Sequence, residues 1–179
     1  MKIFTLKAKQ VVPITMDEAW DFFSNPNNLP KITPPWLNLK VTSELPDKMY
    51  EGMIITYKVH PFLGIPSTWV TEITTAKEKS FFIDEQRFGP YKFWHHQHHF
   101  KEIKEGVEME DIVNYALPFD PLSRPLNNFL VGGCLQIGDL GLAAVQIGIK
   151  TDGRNLHFVD QRIHGAFFTR SQHRLSPGG

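Results

Sequence analysis

Hydrophobic and polar residues alternate along the first segment of the chain, from Lys2 to Val12. A period of two with one apolar face predicts a β-strand. The spacing then changes to that of an amphipathic helix over residues 16–24, and Thr15 and Glu18 form a predicted capping box at its start. A second helix of little more than one turn is predicted from Asn25.

Six runs between Leu37 and Leu117 combine the same alternation with residues that favour strands. Two of the connections, at residues 89–90 and 105–106, contain glycine or proline and predict turns. This pattern predicts an antiparallel meander. The predicted strands are Leu37–Ser43, Met53–Val59, Ser67–Thr75, Phe81–Arg87, Tyr91–Lys104 and Val107–Leu117.

Composition narrows the classes of function that the chain can have. Its 179 residues carry 19 basic and 19 acidic side chains, and a net charge of zero argues against binding to a phosphate backbone. The single cysteine, Cys134, excludes an internal disulfide and a zinc site built from several cysteines. The start of the sequence lacks the features of a secretory signal, and the apolar stretch Val131–Ile149 contains five glycines. We therefore expect no membrane span and a cytoplasmic location.

The densest group of chemically active side chains is the segment Trp94–Phe100, which reads WHHQHHF. Neighbouring side chains on a strand point to opposite faces, so His96 and His98 share one face with the two flanking aromatic rings. We predict that this face points inward. His95 and His99 are predicted to lie on a solvated face.

The positions of the turns allow the neighbours of His96 to be estimated. A two-residue turn at 105–106 places Tyr115 opposite His96, and a loop over residues 88–92 places Asp84 opposite it on the other side. The predicted row on the inner face is therefore Asp84, His96 and Tyr115. A slip of one residue in register would destroy this row.

Three interpretations of this row stay open. A carboxylate that orients an imidazole beside a phenol is suited to general acid–base catalysis. The same groups are suited to anchoring the polar end of a ligand in an apolar cavity, or to holding the sheet in register without any ligand. A metal ion is not expected, because the inward pair His96 and His98 needs a third ligand, from Asp84 or Asp111, and residues that orient both imidazoles.

The order of the predicted elements and several sequence strings resemble the SRPBCC superfamily, which includes START lipid-transfer domains, the birch-pollen-allergen group and polyketide cyclase/dehydrase-like proteins. The resemblance is strongest to its bacterial ligand-binding group. It is carried by NNLPKITPPWLNLKV, STWVTEI, FIDEQRFGPYKFWHHQHHF and DIVNYALPFDPL, and it extends from Phe4 to Val131. It implies an α+β helix-grip fold, in which a curved antiparallel sheet surrounds a C-terminal helix.

A pattern of the form D-x-Q…G-P…W-x-H-x-H-x-F…D-x-V-x-Y-x-L-P recurs in that group, and here it extends from Asp84 to Pro118. The resemblance implies binding of a small hydrophobic or aromatic molecule between the sheet and the helix, without a settled substrate. The residues that we expect to contact the ligand are Trp69, Asp84, Gln86, Trp94, His96, His98, Phe100, Asp111 and Tyr115.

The sequence changes character after Val131. Nine of the 13 glycines lie in residues 132–179, and a helix predicted from Ser123 should weaken near Gly132, since each glycine costs a helix about 1 kcal/mol relative to alanine. We therefore expect a helix-grip domain over residues 1–131 and an atypical Gly-rich tail over residues 132–179. Our hypothesis is that this tail is partly disordered or is the product of a frameshift. A frameshift requires another reading frame that encodes a Glu- and Arg-rich amphipathic helix, and the absence of such a frame would count against it.

The favoured function is binding of a small hydrophobic, aromatic or lipid-like molecule in an internal cavity. The first alternative is an enzyme of cyclase or dehydratase type, in which His96 is the general base, Asp84 orients it and Tyr115 donates to an oxyanion. The second alternative is a protein-interaction module without a ligand. We expect no cofactor and no nucleic-acid partner, we favour binding over catalysis, and homo-oligomerisation stays open.

Overall fold

The computed structural model describes residues 1–33, 37–62, 65–119, 148–151 and 156–159. Within these ranges the helices are α1 (Met16–Phe23) and α2 (Leu29–Ile32), and a 3-10 turn at Pro26–Asn28 precedes α2. The strands are β1 (Phe4–Val12), β2 (Lys40–Val41), β3 (Ile54–Phe62), β4 (Ile65–Lys77), β5 (Phe81–Phe88), β6 (Phe93–Ile103), β7 (Gly106–Ala116), β8 (Gly148–Thr151) and β9 (Leu156–Val159).

Helix α1 begins with the capping box that the sequence predicts. The backbone N–H of Glu18 donates to Oγ1 of Thr15, and the backbone N–H of Thr15 donates to Oε2 of Glu18 at 2.9 Å. Ala19 and Trp20 are buried, and the Trp20 ring packs edge-on against Phe100 of β6 with ring centroids 5.6 Å apart. The helix therefore covers one part of the inner face of the sheet.

Seven strands form one antiparallel sheet in the order β1-β7-β6-β5-β4-β3-β2. The meander predicted from the sequence is confirmed for β3 to β7, in which each strand pairs with the next. Register shifts interrupt the ladders at 59–62, 70–71 and 73–75. Bulges of this kind bend a strand and increase its twist. The sheet is curved, as the predicted helix-grip fold requires.

The hydrophobic core has two clusters on the inner face. The first includes the buried rings of Trp69 and Trp94, and the second includes Trp20, Phe82 and Phe100. Burial of each large apolar side chain contributes about 1.5–3 kcal/mol relative to leaving it in water. The two clusters therefore fix the inner face of β4, β5, β6 and β7.

The β6–β7 hairpin differs from the sequence prediction. Its turn consists of residues 104–105, and Ile103 pairs with Gly106, so each residue of β6 lies opposite a residue two positions earlier in β7 than predicted. Gly106 has a φ of 131°, and a Cβ there would overlap the carbonyl oxygen of Val12. The glycine is thus required by the close approach of β1, and it follows the turn instead of forming part of it.

Two further sequence predictions differ from the structure or lie outside it. Strand β2 is limited to two residues, whereas a strand over Leu37–Ser43 was expected, and Leu37 is buried without belonging to a strand. The helix predicted from Ser123 and the proposed boundary at residue 131 lie outside the described residues. Within the predicted tail, β8 and β9 pair antiparallel. No helix in the described ranges has the length and hydropathy that crossing a bilayer requires.

Candidate functional site

Three adjacent strands bring four ionisable side chains together on the inner face of the sheet. Asp84 of β5 pairs with His96 of β6, and His98 of β6 pairs with Asp111 of β7. We call these four residues the Asp–His quartet. His96 and Asp111 are almost completely buried, with exposed fractions of 3% and 1%. The inward orientation predicted for His96 and His98 is confirmed.

Each imidazole of the quartet lies between the two carboxylates. In His96, Nε2 is 3.1 Å from Oδ1 of Asp111 and Nδ1 is 3.5 Å from Oδ2 of Asp84. In His98, Nδ1 is 2.7 Å from Oδ1 of Asp111 and Nε2 is 3.0 Å from Oδ2 of Asp84. The two ring centroids are 3.8 Å apart. Asp111 therefore contacts the ring pair from one side and Asp84 contacts it from the other.

The contacts within the quartet shift the pKa values of His98 and Asp111. Burial alone would lower the pKa of His98, but the charges and hydrogen bonds of Asp111 and Asp84 outweigh burial and raise this pKa to about 9. Burial alone would raise the pKa of Asp111, but His98 and His96 hold it below its usual value. A protonated His98 and an ionised Asp111 thus stabilise each other.

Aromatic rings enclose the quartet on both sides along the sheet. Phe82 stacks on His98 with centroids 4.1 Å apart, and Trp94 contacts His96 edge-on at 6.1 Å. Apolar surroundings strengthen electrostatic interactions, because little water is present to screen them. The quartet is therefore a strongly polar group inside an otherwise aromatic environment.

A cavity of about 110 Å³ lies against the quartet. Its walls are mainly apolar and are formed by Phe22, Phe23, Asn25, Pro26, Asn28, Leu29, Ile32, Leu39, Met49, Ile55, Tyr57, Trp69, Thr71, Ile73, Phe82, Asp84, Trp94, His96, His98, Met109 and Asp111. Two buried polar atoms of these walls, Nε1 of Trp69 and Oδ2 of Asp111, have no hydrogen-bond partner in the described part of the chain. Buried polar atoms are normally satisfied, so both are candidates for contact with a bound molecule.

Six of the nine predicted site residues line this cavity, namely Trp69, Asp84, Trp94, His96, His98 and Asp111. Gln86, Phe100 and Tyr115 are not among its lining residues. The side chain of Gln86 instead holds the β5–β6 loop, since its Nε2–H donates to the carbonyl oxygen of Tyr91 at 2.6 Å and its Oε1 accepts from the N–H of Tyr91.

Phe100 and Tyr115, the other two predicted site residues outside the cavity wall, pack in the core. Phe100 contacts Trp20 in the second cluster, and Tyr115 stacks on Phe4 of β1 with centroids 5.5 Å apart. The predicted pairing of Asp84 with His96 is confirmed, but the predicted pairing of His96 with Tyr115 is wrong. His96 pairs with Val113 and Tyr115 pairs with Trp94, because the β6–β7 register is shifted by two residues.

The outer face of β6 carries a second row of polar side chains. Glu85 contacts Nδ1 of His95 at 2.8 Å, and Gln97 links His95 to His99 at 3.2 and 3.0 Å. These groups are half-buried, whereas a solvated face was expected for His95 and His99. Alternation therefore separates the four histidines of the segment into two pairs with different surroundings.

Apart from Trp69, sequence reasoning missed the cavity wall that β3 and β4 contribute. The hydroxyls of Tyr57 and Thr71 are hydrogen-bonded to each other at 2.9 Å, and burial raises the pKa of Tyr57 far above its usual value. The signal was available in the alternation, since Thr71 and Ile73 follow Trp69 at intervals of two. Ile55 and Tyr57 follow the same rule on β3.

Comparisons with solved structures support the fold. A START superfamily protein from Mycobacterium smegmatis superimposes with a TM-score of 0.58 and 11% identity, over 80% of this chain and 94% of that chain. The protein TTHA0849 from Thermus thermophilus gives 0.57 and 15%, over 78% and 93% of the two chains. The major latex-like protein 151 of ginseng, Panax ginseng, gives 0.55 and 15%, over 82% and 95%. At these identities the likeness concerns the fold alone.

Comparison at the level of sequence identifies the family. No curated protein sequence matches the chain. The profile of the family described as "Polyketide cyclase / dehydrase and lipid transport" matches residues 12–133, which is more than half of the chain and includes the whole quartet. The fold is of the SRPBCC type that the resemblance implied. The chain therefore belongs to the polyketide cyclase/dehydrase and lipid transport family.

Proposed function

We propose that the protein binds a small, mainly apolar molecule, aromatic or lipid-like, whose single polar group contacts the Asp–His quartet. The observation that carries this proposal is the composition of the cavity wall. Apolar side chains form most of it, and two of its buried polar atoms, Nε1 of Trp69 and Oδ2 of Asp111, have no partner in the described part of the chain. A wall of this kind is typical of sites that bind ligands by shape and orient them with a few polar contacts.

The volume of the cavity limits the size of the ligand. One water molecule needs about 10–15 Å³ on the scale on which the cavity measures about 110 Å³. The space thus corresponds to about eight water molecules, which suits a one- or two-ring aromatic molecule or a short acyl chain. We propose that a hydroxyl group of such a molecule donates to Oδ2 of Asp111, or that a carbonyl group accepts from the Nε1–H of Trp69.

Binding is a better proposal than catalysis for this site. The description of the family includes both cyclase/dehydrase activity and lipid transport, so it is compatible with either. A general base needs a ring nitrogen that can accept a proton from the substrate. Both nitrogens of His96 lie within 3.5 Å of a carboxylate oxygen, and Tyr115, the expected oxyanion donor, is outside the cavity wall.

The proposal is tested by fluorescence titration with 1-naphthol and with naphthalene, which has the same rings but no hydroxyl. We expect the chain to bind both, and to bind 1-naphthol about tenfold more tightly, since one hydrogen bond in a buried site contributes about 1–1.5 kcal/mol. Asp111→Asn should narrow this difference and leave the affinity for naphthalene almost unchanged. Equal affinities for the two probes in the unmodified protein would contradict a polar anchor.

A pair of neighbouring variants tests the location of binding. Ile55 lines the cavity, and Ile54 lies next to it on the outer face of β3 with 48% exposure. Ile55→Phe adds a ring to the cavity and should weaken naphthalene binding at least about tenfold, whereas Ile54→Phe should change it less than about twofold. The same weakening in both variants, or in neither, would place the probe elsewhere. Native mass spectrometry of freshly purified protein then identifies any molecule that co-purifies.

A further inference from the structure

The two sides of the Asp–His quartet are not equivalent. All four residues line the cavity, but Asp84, His96 and His98 form a compact group of donor atoms, and Asp111 contacts the other nitrogen of each ring. We propose that Asp84, His96 and His98 form a binding site for a divalent transition-metal cation, and that Asp111 orients both imidazoles toward it. This inference stands on the quartet alone and does not depend on the proposed binding of an apolar molecule.

Distances among the three proposed ligands fit a shared cation. Nitrogen and oxygen ligands at about 2.1 Å from a cation lie about 3.0–3.5 Å from one another at angles between square and tetrahedral. Oδ2 of Asp84 is 3.0 Å from Nε2 of His98 and 3.5 Å from Nδ1 of His96. One donor atom from each of the three residues lies within 4.8 Å of the other two.

Asp111 supplies the hydrogen-bond acceptor that orients the histidines of a metal site. A histidine that binds a metal through one nitrogen usually donates the N–H of the other to a carboxylate, which fixes its tautomer and orientation. Oδ1 of Asp111 lies 3.1 Å from Nε2 of His96 and 2.7 Å from Nδ1 of His98. These are the nitrogens that point away from Asp84. A single buried carboxylate therefore orients both rings.

The charge of the site also suits a dication. Two carboxylates, Asp84 and Asp111, contact the rings in this largely buried position, and Oδ2 of Asp111 has no partner in the described part of the chain. A buried charge needs a counter-charge. A divalent cation supplies one.

The observed register removes the argument that the sequence offered against a metal. The predicted register placed Asp111 opposite Phe100, where it would not have contacted both rings. The structure pairs Asp111 with His98, directly behind the H-x-H pair. Two imidazoles and one carboxylate favour Zn²⁺, Fe²⁺ or a similar ion, and three protein ligands leave a coordination position open to an incoming molecule.

The test uses the untagged full chain, dialysed against Zn²⁺ and then analysed for bound zinc, with Co²⁺ as a spectroscopic probe. We expect the unmodified protein to bind one more equivalent of zinc than Asp84→Asn or His98→Gln binds. Asp111→Asn should weaken the affinity about 10–100-fold, because it changes the orienting group and keeps the ligands. Ligand-field absorption of bound Co²⁺ should disappear in Asp84→Asn.

The outer pair of histidines provides a matched control. His99 lies on the same strand as His98 but on the opposite face, so His99→Gln should keep the full equivalent of metal. Circular dichroism of each variant excludes unfolding as the cause of a loss. The proposal is overturned if the folded unmodified protein binds no more zinc than Asp84→Asn, or if the equivalent is lost in His99→Gln and kept in folded Asp84→Asn.

Discussion

Oδ1 of Asp111 lies 2.7 Å from Nδ1 of His98, which is the shortest contact in the quartet. Asp111 has an exposed fraction of 1%, and the same oxygen also contacts His96 at 3.1 Å. Asp111 therefore contacts two rings of β6 from a position that water does not reach. Stability and protonation of the inner face both depend on this contact.

Removal of the Asp111 carboxylate should destabilise the fold strongly. Breaking a buried ion pair from one side leaves the other charge without compensation and costs about 3–5 kcal/mol. We expect Asp111→Ala to lower the free energy of unfolding by this amount, measured by urea denaturation. Asp47→Ala removes an exposed carboxylate and should change the free energy by less than about 0.5 kcal/mol. Similar values for the two variants would contradict the proposed role of the buried carboxylate.

Stability should fall between neutral and alkaline pH. The pKa of His98 is raised from 6.5 to about 9, so the folded state binds this proton more tightly than the unfolded chain does. The associated stabilisation is complete below pH 6.5 and is lost as the pH rises through about 9; it amounts to about 3 kcal/mol. Denaturation at pH 6 and pH 10, with a chelator present, measures it. In His98→Gln the free energy of unfolding should differ much less between pH 6 and pH 10. A difference as large as that of the unmodified protein would mean that other groups cause it.

At acidic pH the sign is reversed for Asp111. Its pKa is lowered, chiefly by His98 once burial is overcome, so the folded state favours the ionised form. This contribution is present above the unfolded pKa of 3.8 and is lost as the pH falls through the lower folded value. We expect Asp111→Asn to flatten the acid limb of a stability profile between pH 5 and 2. A limb as steep as that of the unmodified protein would count against the lowered pKa.

The hydrogen bond between Tyr57 and Thr71 in the cavity wall can be tested by a double-mutant cycle. Thr71→Val leaves the buried Tyr57 hydroxyl without its partner and should cost about 1–3 kcal/mol in free energy of unfolding. Tyr57→Phe combined with Thr71→Val removes both polar groups and should recover most of that loss. Additive effects of the two substitutions would show that the bond contributes little.

Gly106 should tolerate no side chain, since a Cβ there would overlap the backbone of Val12. We expect Gly106→Ala to lower the free energy of unfolding by about 2–5 kcal/mol through backbone strain and overpacking. Gly52 has a positive φ of 82° but no atom within 4 Å of a built Cβ. Gly52→Ala therefore isolates the strain, and it should cost about 1–2 kcal/mol. Equal melting temperatures for the two variants would contradict the close approach of β1.

Alternation along single strands was predictable from the sequence, because it depends only on local geometry. The inward position of His96 and His98 follows from the period of two, and the pairing of Asp84 with His96 follows from the predicted loop over residues 88–92. Both can be read from nearby residues. The capping box of α1 is local in the same sense.

Contacts between distant segments were not predictable in this way. The β6–β7 register was misplaced because Gly106 was assigned to the turn, whereas its lack of a side chain serves contact with Val12, about a hundred positions earlier in the chain. That error put Tyr115 in the site and hid the contact of Asp111 with both rings. Apart from Trp69, the wall residues of β3 and β4 were missed: alternation gives their face, but bulges between β4 and β5 shift the register that would place them beside Asp84.

Strand β1 has a consequence for the order in which a nascent chain matures. Ala8 pairs with Asp111, so the strand that carries the orienting carboxylate is flanked on one side by a strand that is synthesised about a hundred residues earlier. Pairings between such remote segments form slowly, because a long loop must close first. During translation β1 therefore cannot pair with β7 until β2 to β6 have been synthesised. A chain stalled before β7 lacks both Asp111 and the strand with which β1 pairs.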